Sequence, residues 1–312
     1  KIINKTIKNR SRIRKDMEIT FLGTGCMSPT KKRNHQAMFL KYRDEGLLFD
    51  CGEGTQRQFL FANIKMTKIT KIFISHWHGD HVLGIVGLLQ TLNNSEYNKK
   101  LEIYGPYGTK KKMTGLFKLY DFNLSFDYNI FDIKEGIIVE EKDFKIMAVE
   151  LDHGIPCFGF SFLENDKRKI NMSFIRKKKI PNGPLLGKLQ NNKDIEWNGE
   201  KISAKKATSL VSGKKISFIM DTILCDGCST LAKNSNVLIC ESSFTDEFEN
   251  KAKEFKHMTA KQAGILAKKN NVKKLVLIHF SQRFKSTNPI CDEAKKHHKN
   301  TICAEDLFIL KI

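Results

Sequence analysis

Seven consecutive residues, Ser75-His76-Trp77-His78-Gly79-Asp80-His81, hold three of the nine histidines of this chain and a carboxylate. They follow a β-type apolar run, Ile72–Ser75, and lead into helical spacing over Asp80–Leu92. A strand that turns into a helix can aim His76 and His78, two residues apart, at one point. Asp80 and His81, at the mouth of the helix, can aim at an adjacent point. One short segment can therefore feed two metal ions, and imidazole with carboxylate suits zinc. No packing requirement explains an H-x-H-x-D-H pattern.

Metal ions need further ligands, and three ligand-type residues elsewhere each end an apolar strand-like run. His153 follows Phe144–Leu151, Asp221 ends Ile216–Asp221, and His279 ends Leu275–His279. In layered α/β folds, strand ends are where sites assemble. Further strands are expected at Ile19–Leu22, Met38–Tyr42, Leu47–Asp50, Leu101–Tyr104, Val237–Cys240 and Leu307–Leu310. Helices are expected at Thr55–Ala62, Thr109–Leu119 and Thr259–Lys269, with Thr259 as cap. The alternation gives an α/β layered domain. No G-x-G-x-x-G is completed at Gly23/Gly25 or Gly52/Gly54, and there is no P-loop, so no nucleotide cofactor is expected.

At 312 residues and 40% hydrophobic the chain can bury a sizeable core. Its longest apolar stretch, about Val82–Leu92, is too short to span a membrane. The formal charge is +20, and it is unevenly spread. Residues 1–16 contribute +6 and residues 164–215 contribute +9, which is 15 of the 20. Two concentrated basic blocks point to a polyanionic partner such as nucleic acid. Residues 1–16 read as a disordered basic extension or a targeting sequence, and the folded domain is expected over 17–312. The segment 165–206 is basic, holds Pro181-Asn182-Gly183-Pro184 and shows little apolar periodicity, so it reads as a weakly structured, protruding insertion. Eight cysteines in a chain without an apolar signal segment read as free thiols in a reducing compartment. Cys225-Asp226-Gly227-Cys228 looks like half a zinc knuckle with no second half.

The motif set resembles a known family. H-x-H-x-D-H followed by His, Asp and His is similar to the metallo-β-lactamase superfamily. Four segments narrow this to the ribonuclease Z family of tRNA 3′-processing endonucleases: Phe21-Leu22-Gly23-Thr24-Gly25, Pro29-Thr30-Lys31-Lys32-Arg33-Asn34, the run from Phe49 to Arg57, and His279-Phe280-Ser281-Gln282-Arg283. The resemblance covers essentially all of 17–312.

It implies the metallo-β-lactamase fold, a four-layer αββα sandwich with a protruding basic arm, and two zinc ions per subunit. His76, His78 and His153 would hold one, Asp80, His81 and His279 the other, and Asp221 would bridge. The implied reaction is metal-activated hydroxide attack on phosphorus, which leaves a tRNA 3′-OH and a 5′-phosphorylated trailer. Asp80 would also take the nucleophile's proton, and His257 would protonate the leaving oxygen. The loop after His257 reads Met258-Thr259-Ala260, a departure from the family pattern, and Ile223 stands where the family often has arginine. Lys31, Arg33, Asn34 and Arg57 would contact the tRNA acceptor end. Arg176, Lys177, Lys178, Lys179 and Lys188 would grip its body from the arm. The implied partners are precursor tRNA and a second copy in a homodimer, with no membrane, in the cytoplasm or in an organelle if 1–16 are a targeting sequence. Two other readings share the metal site or the charge: a hydrolase of a small ester or thioester, and a non-catalytic RNA-binding protein. The first has no use for Lys31, Arg33 or the arm. The second leaves seven filled ligand positions without a purpose.

Overall fold

A computed structural model of the protein describes residues 17–312, and the basic extension over 1–16 lies outside the described residues. Two compact units emerge. The first comprises residues 17–132, Ile278–Thr287 and Cys303–Ile312, and the second comprises Ile133–Leu277 and Asn288–Ile302.

The first unit carries β1 (Met17–Gly23), β2 (Ala37–Tyr42), β3 (Glu45–Phe49), α1 (Thr55–Phe61), β4 (Lys71–Phe73), α2 (Gly79–Val82), α3 (Ile85–Asn94), β5 (Leu101–Gly105), α4 (Thr109–Leu119) and β6 (Tyr128–Asp132). With the C-terminal strand Ile309–Lys311 they form a seven-stranded sheet, in the order C-terminal strand, β1, β2, β3, β4, β5, β6. Pairing is antiparallel from the C-terminal strand to β3 and parallel from β3 to β6. One face packs an apolar cluster that includes Leu22, Phe39, Leu48, Ile72, Ile74, Ile85, Leu88 and Leu92. Each such fully buried chain contributes ~1.5–3 kcal/mol of transfer free energy. The register also aligns Phe49, Phe73, Tyr104 and Phe131 across four parallel strands. Their rings stack with centroids 5.0, 5.2 and 4.8 Å apart.

The helical spacing over Asp80–Leu92 predicts one helix, but the structure breaks it at Leu83–Gly84 into α2 and α3. The cause is a close approach that only glycine permits. A Cβ on Gly84 would lie 2.1 Å from the Gly52 carbonyl oxygen, and the Gly84 N–H donates to the Cys51 carbonyl at 2.9 Å.

The second unit carries β7 (Gly136–Glu140), β8 (Phe144–Asp152), β9 (Pro156–Glu164), β10 (Lys167–Ile170), α5 (Met172–Lys177), α6 (Pro184–Gln190), β11 (Ile195–Trp197), β12 (Glu200–Ile202), α7 (Ala204–Ala207), β13 (Thr208–Val211), β14 (Lys215–Ile219), α8 (Asp226–Ala232), β15 (Val237–Glu241), α9 (Glu249–Glu254), α10 (Ala260–Lys269), β16 (Leu275–Ile278), α11 (Asn288–Lys295) and β17 (Thr301–Cys303). Its seven-stranded sheet runs β17, β16, β15, β14, β9, β8, β7. The expected cap of α10 is present as a full capping box, with Thr259 and Gln262 each satisfying the other's backbone N–H.

The basic insertion differs from the weakly structured loop expected over 165–206. It is a folded module bounded by the antiparallel ribbon β10–β13, so it extends to Val211. Ile175, Ile180, Leu189, Ile195, Ile202, Ala204 and Ala207 make its own core. The apolar residues are spread over short helices and a hairpin, and no single window carries a period long enough to read.

In the first unit a half-buried carboxylate, Asp306, ties three segments together. It accepts from the Asn34 N–H at 2.6 Å, the Thr24 hydroxyl at 2.7 Å and the Gln58 amide at 3.1 Å. Burial outweighs these donors and pushes its pKa up to about 6. A carboxyl raised in the folded state contributes stability that is full below its unfolded value and is lost as pH rises through about 6. Chemical denaturation of the protein and of Asp306→Asn should therefore show their stability difference falling by on the order of 2 kcal/mol from about pH 4 to about pH 7. A difference that stays constant with pH would contradict this.

Candidate metal centre

The first unit carries a candidate ligand set of its own, built on the turn between β4 and α2. Asp50, directly after β3, is fully buried and sits at a positive φ of 56°. Its N–H donates to the Phe73 carbonyl at 2.8 Å, which joins β3 to β4. Its carboxylate accepts from the Ser75 N–H and the Ser75 hydroxyl, both at 2.8 Å, and from His81 Nδ1 at 2.7 Å. Hydrogen bonds of this kind contribute ~1.5–3 kcal/mol each.

These bonds fix ring chemistry. Because His81 Nδ1 donates to Asp50, its Nε2 is the acceptor nitrogen. The Ser75 proton goes to Asp50, so the Ser75 oxygen accepts from His76 Nδ1 at 3.0 Å, and His76 Nε2 is likewise an acceptor. His76 Nε2 faces His78 Nδ1 at 3.1 Å. Carboxylate-oriented imidazoles of this sort are how proteins present nitrogen lone pairs to a metal.

Asp80 and His81 are brought in by the same glycine contacts that break the helix. A Cβ on Gly52 would lie 2.3 Å from the Asp80 carbonyl oxygen, and the Cys51 N–H donates to the His81 carbonyl at 2.8 Å. Asp80 Oδ2 lies 3.5 Å from both His81 Nε2 and His279 Nε2 and accepts from the Met27 N–H at 2.9 Å. Asp80, His81 and His279 each offer one ligand atom, all within 4.8 Å of one another, and all three are buried. This donor set fits a divalent cation: a carboxylate and two imidazole nitrogens are what zinc takes, and little else balances so many acceptors in one buried place.

The second unit carries a smaller set. His153 follows β8 and Asp221 follows β14, with His153 Nε2 3.5 Å from Asp221 Oδ2. His153 Nδ1 lies 2.9 Å from the Lys256 carbonyl, which can only accept, so Nε2 is again the acceptor nitrogen. Lys256 in turn pairs with Asp152 at 2.6 Å. His257 Nδ1 lies 2.9 Å from Glu241 Oε1, and its ring centroid is 5.1 Å from that of His153. Glu241 is fully buried and also accepts from the Thr222 N–H at 2.8 Å and the Ser243 hydroxyl at 2.9 Å.

Sequence reasoning missed the two carboxylates that hold this chemistry in place. Asp50 lies inside the Phe49–Arg57 motif, but its role needs the fold. Glu241 had a readable signal: it ends the apolar strand β15 as Asp221 ends its own strand run.

The residues expected to meet tRNA are placed unevenly. Lys31 and Arg57 are exposed, and the Arg57 guanidinium lies 5.0 Å from the Phe61 ring centre. Asn34 is half-buried and donates to the Glu53 carbonyl at 2.8 Å. Arg33 is buried instead of open to solvent: its guanidinium donates to the Ser281 and Phe284 carbonyls at 3.4 and 2.5 Å and lies over Phe280. It anchors the Pro29–Asn34 loop to the segment that follows His279. On the arm module Arg176, Lys177, Lys179 and Lys188 are exposed, while Lys178 is half-buried and paired with Glu200 at 2.5 Å.

Known proteins resemble this chain over nearly its whole length. A ribonuclease Z of Methanosarcina acetivorans is 38% identical over 300 residues, covering 95% of this chain and 98% of that one. A ribonuclease Z of Archaeoglobus fulgidus is 36% identical over 95% of this chain and 97% of its own. The crystal structure of human tRNase Z, short form, superposes with a TM-score of 0.70 at 30% identity, over 95% of this chain and 99% of that one. A metallo-β-lactamase fold protein of Bacillus subtilis, 18% identical over 94% of this chain and 98% of its own, shares the fold with a TM-score of 0.68. The family model described as Anti-Pycsar protein Apyc1 matches residues 17–173. No helix among the described residues is long and apolar enough to cross a membrane. By a match over nearly its whole length the chain belongs to the ribonuclease Z family, with the metallo-β-lactamase fold, and by residues 17–173 it belongs with the Apyc1 model as well.

Proposed function

We propose that this protein is a zinc-dependent endoribonuclease that removes the 3′ trailer from tRNA precursors. The observation that carries the reading is the buried Asp80–His81–His279 set, oriented by Asp50, on a chain whose length matches ribonuclease Z throughout. The match to human tRNase Z supports tRNA as substrate. The exposed cations of the arm module support it independently, since A-form phosphates are gripped by charge without reading sequence.

In this reading the ligands serve one dinuclear centre: His76, His78 and His153 for one ion, Asp80, His81 and His279 for the other, and Asp221 for both. Donor count supports a shared centre, because His153 and Asp221 alone fall short of the three or four protein ligands zinc takes. Bound zinc would supply positive charge to the scissile phosphodiester and make water acidic enough to ionise near neutral pH. The chain's own residues do the rest. The Asp80 carboxylate accepts the nucleophile's proton. His257, its Nδ1 held by Glu241, presents Nε2 to donate a proton to the leaving ribose oxygen. The products are a tRNA with a free 3′-OH and a trailer with a 5′-phosphate. As in the family reading, the active species is a homodimer, which sedimentation at working concentration would reveal.

Incubation with a 3′-extended tRNA, followed by mapping of the new ends, should give a single cut that a chelator abolishes and added zinc restores. Intact precursor with active metal-loaded protein would sink the substrate assignment. Asp80→Ala should remove cleavage while tRNA binding stays within a few-fold. Equal loss of both would count against a division between site and arm.

Asp50→Ala removes the partner of Ser75 and His81 without touching a ligand. Metal affinity should fall by roughly 10–100-fold, as measured by competition with a chromophoric chelator. Unchanged affinity would refute its orienting role.

Replacing Arg176, Lys177, Lys179 and Lys188 together by Gln should weaken tRNA binding by roughly tenfold or more and flatten its salt dependence. Hydrolysis of bis(p-nitrophenyl) phosphate should stay unchanged, and a wild-type binding curve with no salt slope would contradict the phosphate grip.

A further inference from the structure

The cysteines of Cys225-Asp226-Gly227-Cys228 take no part in the site described above. Cys225 caps α8 and Cys228 lies three residues on, so both side chains fall on one edge of the first turn. The Cys228 N–H donates to the Cys225 carbonyl at 3.0 Å, which closes that turn. The two sulfurs are 3.6 Å apart. Cys225 is half-buried, whereas Cys228 is fully buried behind it. The turn is pressed onto β8, since a Cβ on Gly227 would come 2.2 Å from the Glu150 carbonyl oxygen. One sulfur is thus reachable from solvent and the other lies behind it in a turn packed against β8.

We infer that Cys225 and Cys228 form a thiol–disulfide exchange site, with Cys225 the attacking sulfur, Cys228 the resolving sulfur and a low-molecular-weight disulfide the co-reactant. The Cys225 thiolate attacks one sulfur of the disulfide. The S–S bond breaks, and the released thiolate takes up a proton. Cys228 then gives up its proton and attacks Cys225 Sγ, expelling the second thiolate. Two protein thiols are oxidised to one disulfide, and the co-reactant is reduced to two thiols. Closing the bond brings the sulfurs from 3.6 Å to about 2.05 Å.

The polarity of the pair suits these roles. The hydrogen bond between the two sulfurs lowers the Cys225 pKa to about 5, while the same contact and burial drive Cys228 well above the ordinary thiol range. An ionised, reachable sulfur backed by a protonated, buried one is the order that exchange needs. The chemistry is independent of the tRNA-processing reading, and its test uses no tRNA.

The experiment exposes the folded, full-length protein to excess glutathione disulfide at about pH 6, where ordinary thiols are almost wholly protonated. The reaction is quenched with acid, the protein is unfolded and alkylated, and tryptic peptides are weighed. Residues 216–233 form one tryptic peptide that carries both cysteines. In the wild type this peptide should lose both alkylation sites and weigh two hydrogens less than its reduced form. Cys228→Ser should stop at one glutathione on Cys225, and Cys225→Ser should give neither product. A wild-type peptide that stays doubly alkylated overturns the proposal. So does a Cys225→Ser protein that takes glutathione on Cys228 at the wild-type rate. The wild-type and Cys225→Ser results decide the matter even where Cys228→Ser, a change at a buried position, disturbs folding.

Discussion

The buried carboxylate of Asp50 is the interaction on which the metal-binding turn depends. Its backbone N–H joins β3 to β4, and its side chain reaches both ends of the turn, at Ser75 and at His81. One group therefore sets the strand register and the orientation of two imidazoles. Through Ser75 and its direct bond to His81, it decides which nitrogen of His76 and His81 carries a proton. The glycines at 52 and 84 let the backbone of α2 and α3 approach closely enough for this to happen.

The second unit uses the same device. Glu241, fully buried, receives the Thr222 N–H, the Ser243 hydroxyl and His257 Nδ1, so one carboxylate holds the segment after Asp221 and the ring of His257. The Lys256 carbonyl does this for His153. In both units the ligand-type side chains end strands, and buried acceptors behind them fix their tautomers. Acceptor nitrogens and carboxylate oxygens held this close repel one another unless a cation stands among them, which is why the arrangement reads as a metal centre and not as a polar core.

Charge is handled separately from chemistry. The exposed cations of Arg176, Lys177, Lys179 and Lys188 sit on a module with its own small apolar core, bounded by a two-stranded ribbon. A folded module holds those cations in a fixed arrangement, which a loose basic loop could not do without a large ordering cost on binding. Arg33 shows the opposite use of charge. Buried over Phe280 and bonded to two carbonyls, it shapes the Pro29–Asn34 loop and leaves the exposed Lys31 and Lys32 at its tip.

The sequence by itself supplied the candidate ligand set, since three imidazoles and a carboxylate in seven residues, with His153, Asp221 and His279 at strand ends, admit few other readings. It also determined the capped helix at Thr259, because capping and periodicity are local. Tertiary structure decided that Asp50 and Glu241, two of the four buried acids among the described residues, are the ones set behind histidines. It decided too that Arg33 is an anchor, that the insertion folds on a core of its own, and that the helix expected after Asp80 breaks where Gly84 meets Gly52. Each of these depends on burial or on contact between residues far apart in the chain, and neither quantity is a property of any short window of sequence.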